Sequence, residues 1–275
     1  MTHNLELKSL FLSKIEFMDL VVGIDIGGTK TKLGLVNKEG DSIVNTFFRT
    51  KEYPVLTDYL DRIELAVEEL KKECNEDYNL LGIGIGAPNA SSKRGTIENA
   101  ANLIWKGIVP LVELMSHRFD VPVKLMNDAS AAALGEMLFG NAKDMDDFIV
   151  ITLGTGLGAG IVANGKLIEG YDGFAGELGH VDLTIGDGRL TGLGVKGGLE
   201  AYVSATGLKR TIMYMQSKYT DDSRFRSIAY NDLHGEEIHK AANEGDKIAI
   251  KAFDFTGRHL GFALANFTAI TRPEA

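Results

Sequence analysis

Asp25-Ile26-Gly27-Gly28-Thr29-Lys30 constrains the chain more than any other stretch, because an apolar run leads into it and another leads out. Leu20-Val21-Val22-Gly23-Ile24 reads as a buried strand and Leu33-Gly34-Leu35-Val36 as its hairpin partner. The two glycines are expected to give the turn backbone angles closed to other residues. Their missing side chains also let phosphate oxygens approach backbone N–H groups. Thr29 adds a hydroxyl donor, and Asp25 an acceptor for Mg²⁺ or its bound waters. A Walker A loop would instead run from strand to helix and end in Lys-Ser or Lys-Thr, and a dinucleotide fingerprint would also lead into a helix. One Gly-Gly hairpin alone has a bland explanation, a tight turn.

A second copy removes that explanation. Phe148-Ile149-Val150-Ile151-Thr152-Leu153 is an apolar strand, Gly154-Thr155-Gly156 a small polar turn, and Leu157-Gly158-Ala159-Gly160-Ile161-Val162 a second strand. Two such hairpins indicate an internal duplication, with two related domains expected to face each other across a cleft. The pattern resembles the superfamily of sugar kinases, heat-shock ATPases and actin, whose duplicated hairpins hold the two ends of a nucleotide's phosphate chain. The resemblance implies an α/β fold of two related ribonuclease H-like domains with a central cleft, the actin-like ATPase fold. It makes Asp25, Gly27, Gly28, Thr29 and Lys30, with Gly154, Thr155 and Gly156, the candidates for binding ATP, and Asp25 a candidate Mg²⁺ ligand.

At 275 residues the chain is long enough for two modest domains with real cores. A net charge of −9 argues against a nucleic-acid surface, which needs clustered Lys and Arg. Cys74 is the only cysteine, which excludes an intramolecular disulfide and a cysteine metal cluster. Leu10-Phe11-Leu12 is too short for a secretory signal core, and no apolar run is long enough to cross a bilayer. A cytoplasmic protein is the expectation.

The organisation expected along the chain is a lead-in over 1–17, a small α/β domain over 18–127 and a larger one over 128–275. Apolar spacing through Leu60, Ile63, Leu65, Ala66 and Leu70 predicts a helix over 57–73, followed by a strand over 80–86. A helix over 109–119 and a strand over 121–126 complete a β-β-α-β-α-β order. A small-residue helix over 130–138 is capped by Asn127 or Asp128. A Gly-rich loop covers 186–198, and two helices over 233–270 break near Gly245-Asp246.

Three further stretches sharpen the family. Val123-Lys124-Leu125-Met126-Asn127-Asp128 runs into the small-residue helix, Gly176-Glu177-Leu178-Gly179-His180 follows the second hairpin, and Gly197-Gly198-Leu199-Glu200 closes the Gly-rich loop. Together with the two hairpins, these five motifs in order resemble the ROK family of repressors, open reading frames and kinases, from about Val21 to the end of the chain. The resemblance implies that Asp128 is the catalytic base taking the proton of a sugar hydroxyl. A strand end that opens a helix suits that carboxylate, and phosphoryl transfer needs positioning more than strong basicity. It also implies that Asn102, Asn127, Asp128, Glu177, His180 and Glu200 hold the sugar, a suitable set because each hydroxyl both donates and accepts. Trp105, the only tryptophan, is expected in the core or at a cleft edge rather than stacked on sugar.

The match departs from the family in three places. Pro88-Asn89 replaces the usual Pro-Gly. Thr191, Leu193 and Gly198 stand where many members carry zinc-binding cysteines, so no zinc site is expected. The chain stops at Ala275, where the family's pattern expects a further strand and an adenosine-facing turn; a truncated sequence is the expectation, since such an end leaves a sheet edge exposed. The implied function is an ATP- and Mg²⁺-dependent hexokinase acting on the 6-hydroxyl, with glucose the leading substrate and a homodimeric state. Fructose, mannose and N-acetylhexosamines, a polyphosphate donor, and a non-catalytic sugar-binding remnant are the alternatives. A repressor is disfavoured, since few residues precede Leu20 and the balance is acidic.

Overall fold

Period-two burial builds the first strands. A computed structural model describes residues 18–74, 77–184 and 187–275, and the lead-in over 1–17 lies outside them. Leu20, Val22, Ile24 and Ile26 are buried on β1 (Met18–Ile26), and Leu33 and Leu35 on β2 (Lys30–Val36), which pairs with it antiparallel. β3 (Ser42–Arg49) continues the ladder on the far side of β2. The sequence did not predict β3, an edge strand that buries only Phe48 and so carries no clear apolar alternation. α1 (Leu56–Glu73) buries Tyr59, Leu60, Ile63, Ala66, Val67 and Leu70, while Leu65, counted in the expected stripe, is 53% exposed.

β4 (Tyr78–Ala87) runs parallel to β1. Three short strands follow, β5 (Ala90–Ser91), β6 (Thr96–Glu98) and β7 (Ile108–Val109), with β6 and β7 paired antiparallel. The helix expected over 109–119 is the shorter α2 (Leu111–Ser116). Pro110 delays the start, because it drives Val109 into extended backbone, and the helix ends at Ser116, ahead of the expected 119. β8 (Val123–Asn127) closes a five-stranded sheet in the order β3-β2-β1-β4-β8 and feeds α3 (Asp128–Phe139).

The chain then forms a three-stranded antiparallel sheet from β9 (Phe148–Leu153), β10 (Leu157–Ala163) and β11 (Lys166–Leu167), in the order β11-β10-β9. The small residues of α3 let it lie close on β10: a β-carbon on Gly158 would stand 2.7 Å from that of Ala129. α4 (Glu200–Val203), α5 (Ala205–Lys218), α6 (Gly235–Asn243) and α7 (Lys247–Thr271) complete the fold. The expected break lies at Gly245, with φ +90°, and Asp246 caps α7 through the amides of Ile248 and Ala249. Ile212, Phe225, Leu233, Ile238 and Ile248 form a fully buried helical core. At the end of the chain Ala275 O accepts a bond from Ile149 N at 3.1 Å, alongside β9.

Two compact units result. Of the described residues, one holds those up to Pro88 with Gly95–Leu125, the other Asn89–Arg94 with those from Met126 to Ala275. The division thus falls two residues before the expected boundary at 127, and Asn89–Arg94 belongs with the second unit. Side-chain bonds draw that excursion there: Ser91 donates to Asp172 O, Ser92 to Glu169, and Lys93 Nζ lies 3.0 Å from Glu169. Among the described residues no helix is long and apolar enough to cross a membrane.

A chain of hydroxyls links the first unit's core to its glycine turn. Thr50 Oγ1 donates to Gly27 O at 2.7 Å, lies 3.0 Å from Thr31 Oγ1, and Thr31 Oγ1 lies 2.8 Å from the Tyr59 hydroxyl. Each hydroxyl has one proton, so the donation to Gly27 fixes the rest: Tyr59 donates to Thr31, and Thr31 to Thr50. Burial holds the Tyr59 phenol well above its usual range, so it remains a donor. Tyr59→Phe should leave the buried Thr31 oxygen short of a donor and destabilise the fold by about 1–2 kcal/mol. Urea unfolding reads that loss; an unchanged midpoint would break the chain of donors.

Candidate functional site

The glycine turn of the first hairpin is closed by Gly27 N donating to Lys30 O at 3.0 Å. Its carbonyls are held from behind: Gly27 O by the Thr50 hydroxyl, and Thr29 O by Thr50 N at 3.1 Å. The second turn repeats the arrangement. Gly154 N donates to Gly156 O at 3.0 Å, Gly154 O accepts from Ala205 N at 2.9 Å, and Thr155 O accepts from the Thr206 hydroxyl at 2.9 Å. In both turns a threonine hydroxyl and a main-chain amide engage the carbonyls.

Gly27, Gly28 and Gly156 serve close approach rather than unusual backbone angles, which corrects the expectation from sequence, while a β-carbon on Gly154 would meet nothing within 4 Å. None of Gly27, Gly28, Gly154 and Gly156 has positive φ. A β-carbon on Gly28 would stand 2.5 Å from Asn102 O and 3.2 Å from Asn102 Cβ, and one on Gly156 would overlap Glu200 Oε2. Each turn thus has a glycine against which a sugar-site candidate rests. Asn89, in place of the usual glycine after Pro88, has φ +49°, a left-handed conformation that Asn tolerates.

The remaining nucleotide candidates lie on the flanking strands. Asp25 is half exposed and pairs with Lys32 at 3.3 Å, its register partner on β2. The ammonium of Lys30 lies 4.5 Å from the Phe47 ring centroid. Asp25 offers one carboxylate, the share of ligation that a nucleotide-borne Mg²⁺ takes from a protein, and its solvent-screened pairing with Lys32 is weak enough to exchange.

In the second unit the structure gathers Asn127, Asp128, Glu177, His180 and Glu200. Asn127 is the N-cap of α3, its Oδ1 accepting from Ala129 N at 2.9 Å and Ser130 N at 3.4 Å, which leaves its amide protons for other partners. Asp128 begins the helix, with Oδ1 accepting from Ala129 N at 2.8 Å. Glu177 Oε2 lies 3.6 Å from His180 Nε2, on the turn Leu178–His180. Loss of solvent raises the Glu177 carboxyl above its ordinary range; His180 opposes the shift, and Asp128 and Glu200 add to it. His180 Nδ1 is buried without a hydrogen-bond partner among the described residues, a position that a ligand hydroxyl would satisfy. Glu200 accepts from Leu157 N at 3.0 Å and Gly192 N at 3.4 Å, so it joins the second turn to the Gly-rich loop. Asn102 lies in the first unit, beside Gly28. Trp105 is a core residue, its ring 4.2 Å from that of Tyr59.

Main-chain and side-chain bonds shape the Gly-rich loop. Thr191 is buried; its N–H donates to Val195 O at 2.8 Å and its hydroxyl accepts from Val195 N at 3.1 Å. Arg189 N donates to the Tyr202 hydroxyl, and the guanidinium donates to Thr211 Oγ1 at 2.8 Å while facing the rings of Tyr202, Tyr214 and Phe255. Burial lowers the Arg189 pKa from its usual value. Among the described residues no group of three His, Cys, Asp or Glu could hold a metal ion. Sequence reasoning missed Thr50, Thr206 and Arg189, because their hydrogen-bond partners lie 13 to 51 residues away and no local pattern marks them.

The likeness to proteins already known agrees with this architecture. The chain is 34% identical to a glucokinase of Streptomyces coelicolor over 94% of its length and 80% of the relative's. It is 33% identical to a xylose repressor of Caldicellulosiruptor bescii, over 92% of its own length and 64% of the repressor's. Among solved structures, a ROK family glucokinase from Streptomyces griseus in complex with glucose and AMPPNP superposes with a TM-score of 0.77 at 34% identity, covering 92% of this chain and 80% of that one. The fold is the α/β, actin-like ATPase class. More particularly, the model of the ROK family matches residues 21–275, and the chain belongs to that family.

Two substitutions test the site's construction. Gly28→Ala should destabilise the first unit by about 1–3 kcal/mol through overlap with the Asn102 main chain. Gly154→Ala, where a β-carbon meets nothing within 4 Å, should stay within about 0.5 kcal/mol. Equal effects in urea unfolding would contradict the close-approach account.

The raised Glu177 carboxyl means that the folded state binds more protons than the unfolded chain above the ordinary pKa of 4.5. Its stability contribution is therefore present at low pH and lost as pH rises through the folded value. Glu177→Gln removes that loss, so its Tm relative to wild type should rise by about a degree between roughly pH 4 and pH 7, a small effect because the side chain is 45% exposed. A constant difference across that range would refute the assignment.

Proposed function

We propose that this chain is a hexose kinase that transfers the γ-phosphate of ATP to the 6-hydroxyl of glucose, with Asp128 as the base. The observation that carries the proposal is the grouping of Asp128, Glu177, His180 and Glu200 around the start of α3 and the second glycine turn. Glucokinases at about a third identity support the same activity.

In this mechanism Asp128 orients the 6-hydroxyl and takes its proton as the oxygen bonds to the γ-phosphorus and the bond to ADP breaks. Glu177, His180, Glu200, Asn102 and the free amide of Asn127 hold the other hydroxyls, and a substrate of the wrong configuration would leave these polar groups unpaired. Gly27, Gly28, Thr29 and Lys30 of the first turn and Gly154, Thr155 and Gly156 of the second hold the phosphates of ATP. Asp25 would hold Mg²⁺, which would supply charge neutralisation on the transferred phosphoryl group. His180 serves the sugar alone, with no zinc. By family resemblance the protein works as a cytoplasmic homodimer, and the small domain over 18–127 and the larger one over 128–275 act as its two lobes.

The test is phosphoryl transfer from Mg-ATP, with polyphosphate in parallel, to glucose, fructose, mannose and N-acetylhexosamines. Glucose should be the preferred acceptor and ATP the preferred donor. Asp128→Asn should lower kcat by about a hundredfold or more while the protein still binds glucose. Sugar binding without transfer to any acceptor would replace this proposal with a sugar-responsive binding role, as in the repressor relatives.

A further inference from the structure

Lys106 stands outside the residues assigned so far, yet it is tied more closely to one loop than any of them. Its Nζ lies 3.2 Å from Ala100 O, 3.2 Å from Ala101 O and 2.8 Å from Leu103 O. An ammonium has three N–H donors, and three carbonyl oxygens take all of them. The group therefore has no proton left for a phosphate or a sugar, which separates it from the lysines that bind phosphates directly.

The loop it gathers has few bonds of its own. Asn99 N donates to Gly107 O at 2.8 Å across the loop's mouth, and Leu103 N reaches Ala100 O only at 3.3 Å. Between those bonds lies Asn102, whose main-chain oxygen and β-carbon abut Gly28 of the first glycine turn. On the other side Trp105 packs against Tyr59, the start of the hydroxyl chain that reaches Gly27. The loop is wedged between a fixed aromatic pair and a fixed turn, and the ammonium draws its carbonyls to one point.

We infer that Lys106 is a positioning residue: seated among three backbone oxygens, it sets the place of Asn102 beside the first glycine turn. For catalysis this rests on the proposed hexose kinase activity, in which Asn102 reads a sugar hydroxyl. Charge-assisted bonds to neutral carbonyls hold the loop in the free protein, so Asn102 meets the sugar already ordered. Losing them returns that ordering cost to the binding step, which raises KM and leaves the proton transfer at Asp128 untouched.

Lys106→Met keeps the aliphatic stem and removes the donors. Its KM for the preferred hexose should rise by about tenfold with kcat within about twofold of wild type. Trp105 is the only tryptophan and adjoins Lys106, so its emission reports the loop without any sugar. That emission should shift in Lys106→Met at unchanged far-ultraviolet circular dichroism. In Lys106→Ala, propylammonium should restore both KM and emission, whereas tetramethylammonium, which has no N–H donor, should restore neither. Wild-type KM and emission in Lys106→Met, or equal rescue by the two cations, would overturn the inference. If Lys106→Met does not fold, the two cations compared on Lys106→Ala decide it. If the wild type phosphorylates no hexose, the kinase proposal falls, and Trp105 emission alone decides whether Lys106 positions the loop.

Discussion

Everything near the candidate site depends on how the two glycine turns are held from behind. A turn that offers amides to an anion must have its carbonyls engaged elsewhere, or the backbone would repel the ligand's oxygens; here Gly27 N and Gly154 N close the turns themselves. In the first turn Thr50 engages both carbonyls, and in the second the start of α5 does so through Ala205 and Thr206. The same solution appears twice with different elements, which is what a duplicated hairpin with diverged surroundings would produce.

The same turns set how near the sugar-site candidates can come. Asn102 rests on Gly28 and Glu200 on Gly156, so a methyl group at Gly28 would press on the Asn102 main chain and one at Gly156 on the Glu200 carboxylate. Glu200 also binds Gly192 N, which couples the second turn to the Gly-rich loop. That loop takes its shape from Thr191, Arg189 and the aromatic rings around the guanidinium. A guanidinium facing rings and accepting oxygens is well served without a carboxylate partner, because its charge is delocalised and weakly hydrated.

Much of the fold was legible because it is local. Strand and helix periods marked β1, β2, α1, β4, α3 and the second hairpin, and Gly245-Asp246 marked the break before α7. β3 was illegible because an edge strand with one buried residue has no period to read. The helix after Pro110 was started too early because apolar residues continue on both sides of the proline, while its constraint falls on the residue before it. Within the site, residue types and motif order pointed to Asp128, Glu177, His180 and Glu200, which the fold gathers. Thr50, Thr206, Arg189 and Lys106 were invisible because a Thr, Arg or Lys acquires meaning only from the carbonyls and rings it meets.

By itself the sequence determined the class of fold, the two glycine turns and the family, since these rest on periodicity and on motifs read along the chain. It also determined that no cysteine framework exists, because composition alone settles that. Only the tertiary structure decided why the turn glycines are glycines, that Asn89–Arg94 belongs with the second unit, and which side chains hold the turns and loops in place. Most of those facts depend on distances between residues far apart in sequence, and the bonds of Lys106 on how its own loop folds back. A packed backbone sets such distances, and no pattern of neighbouring residues contains them.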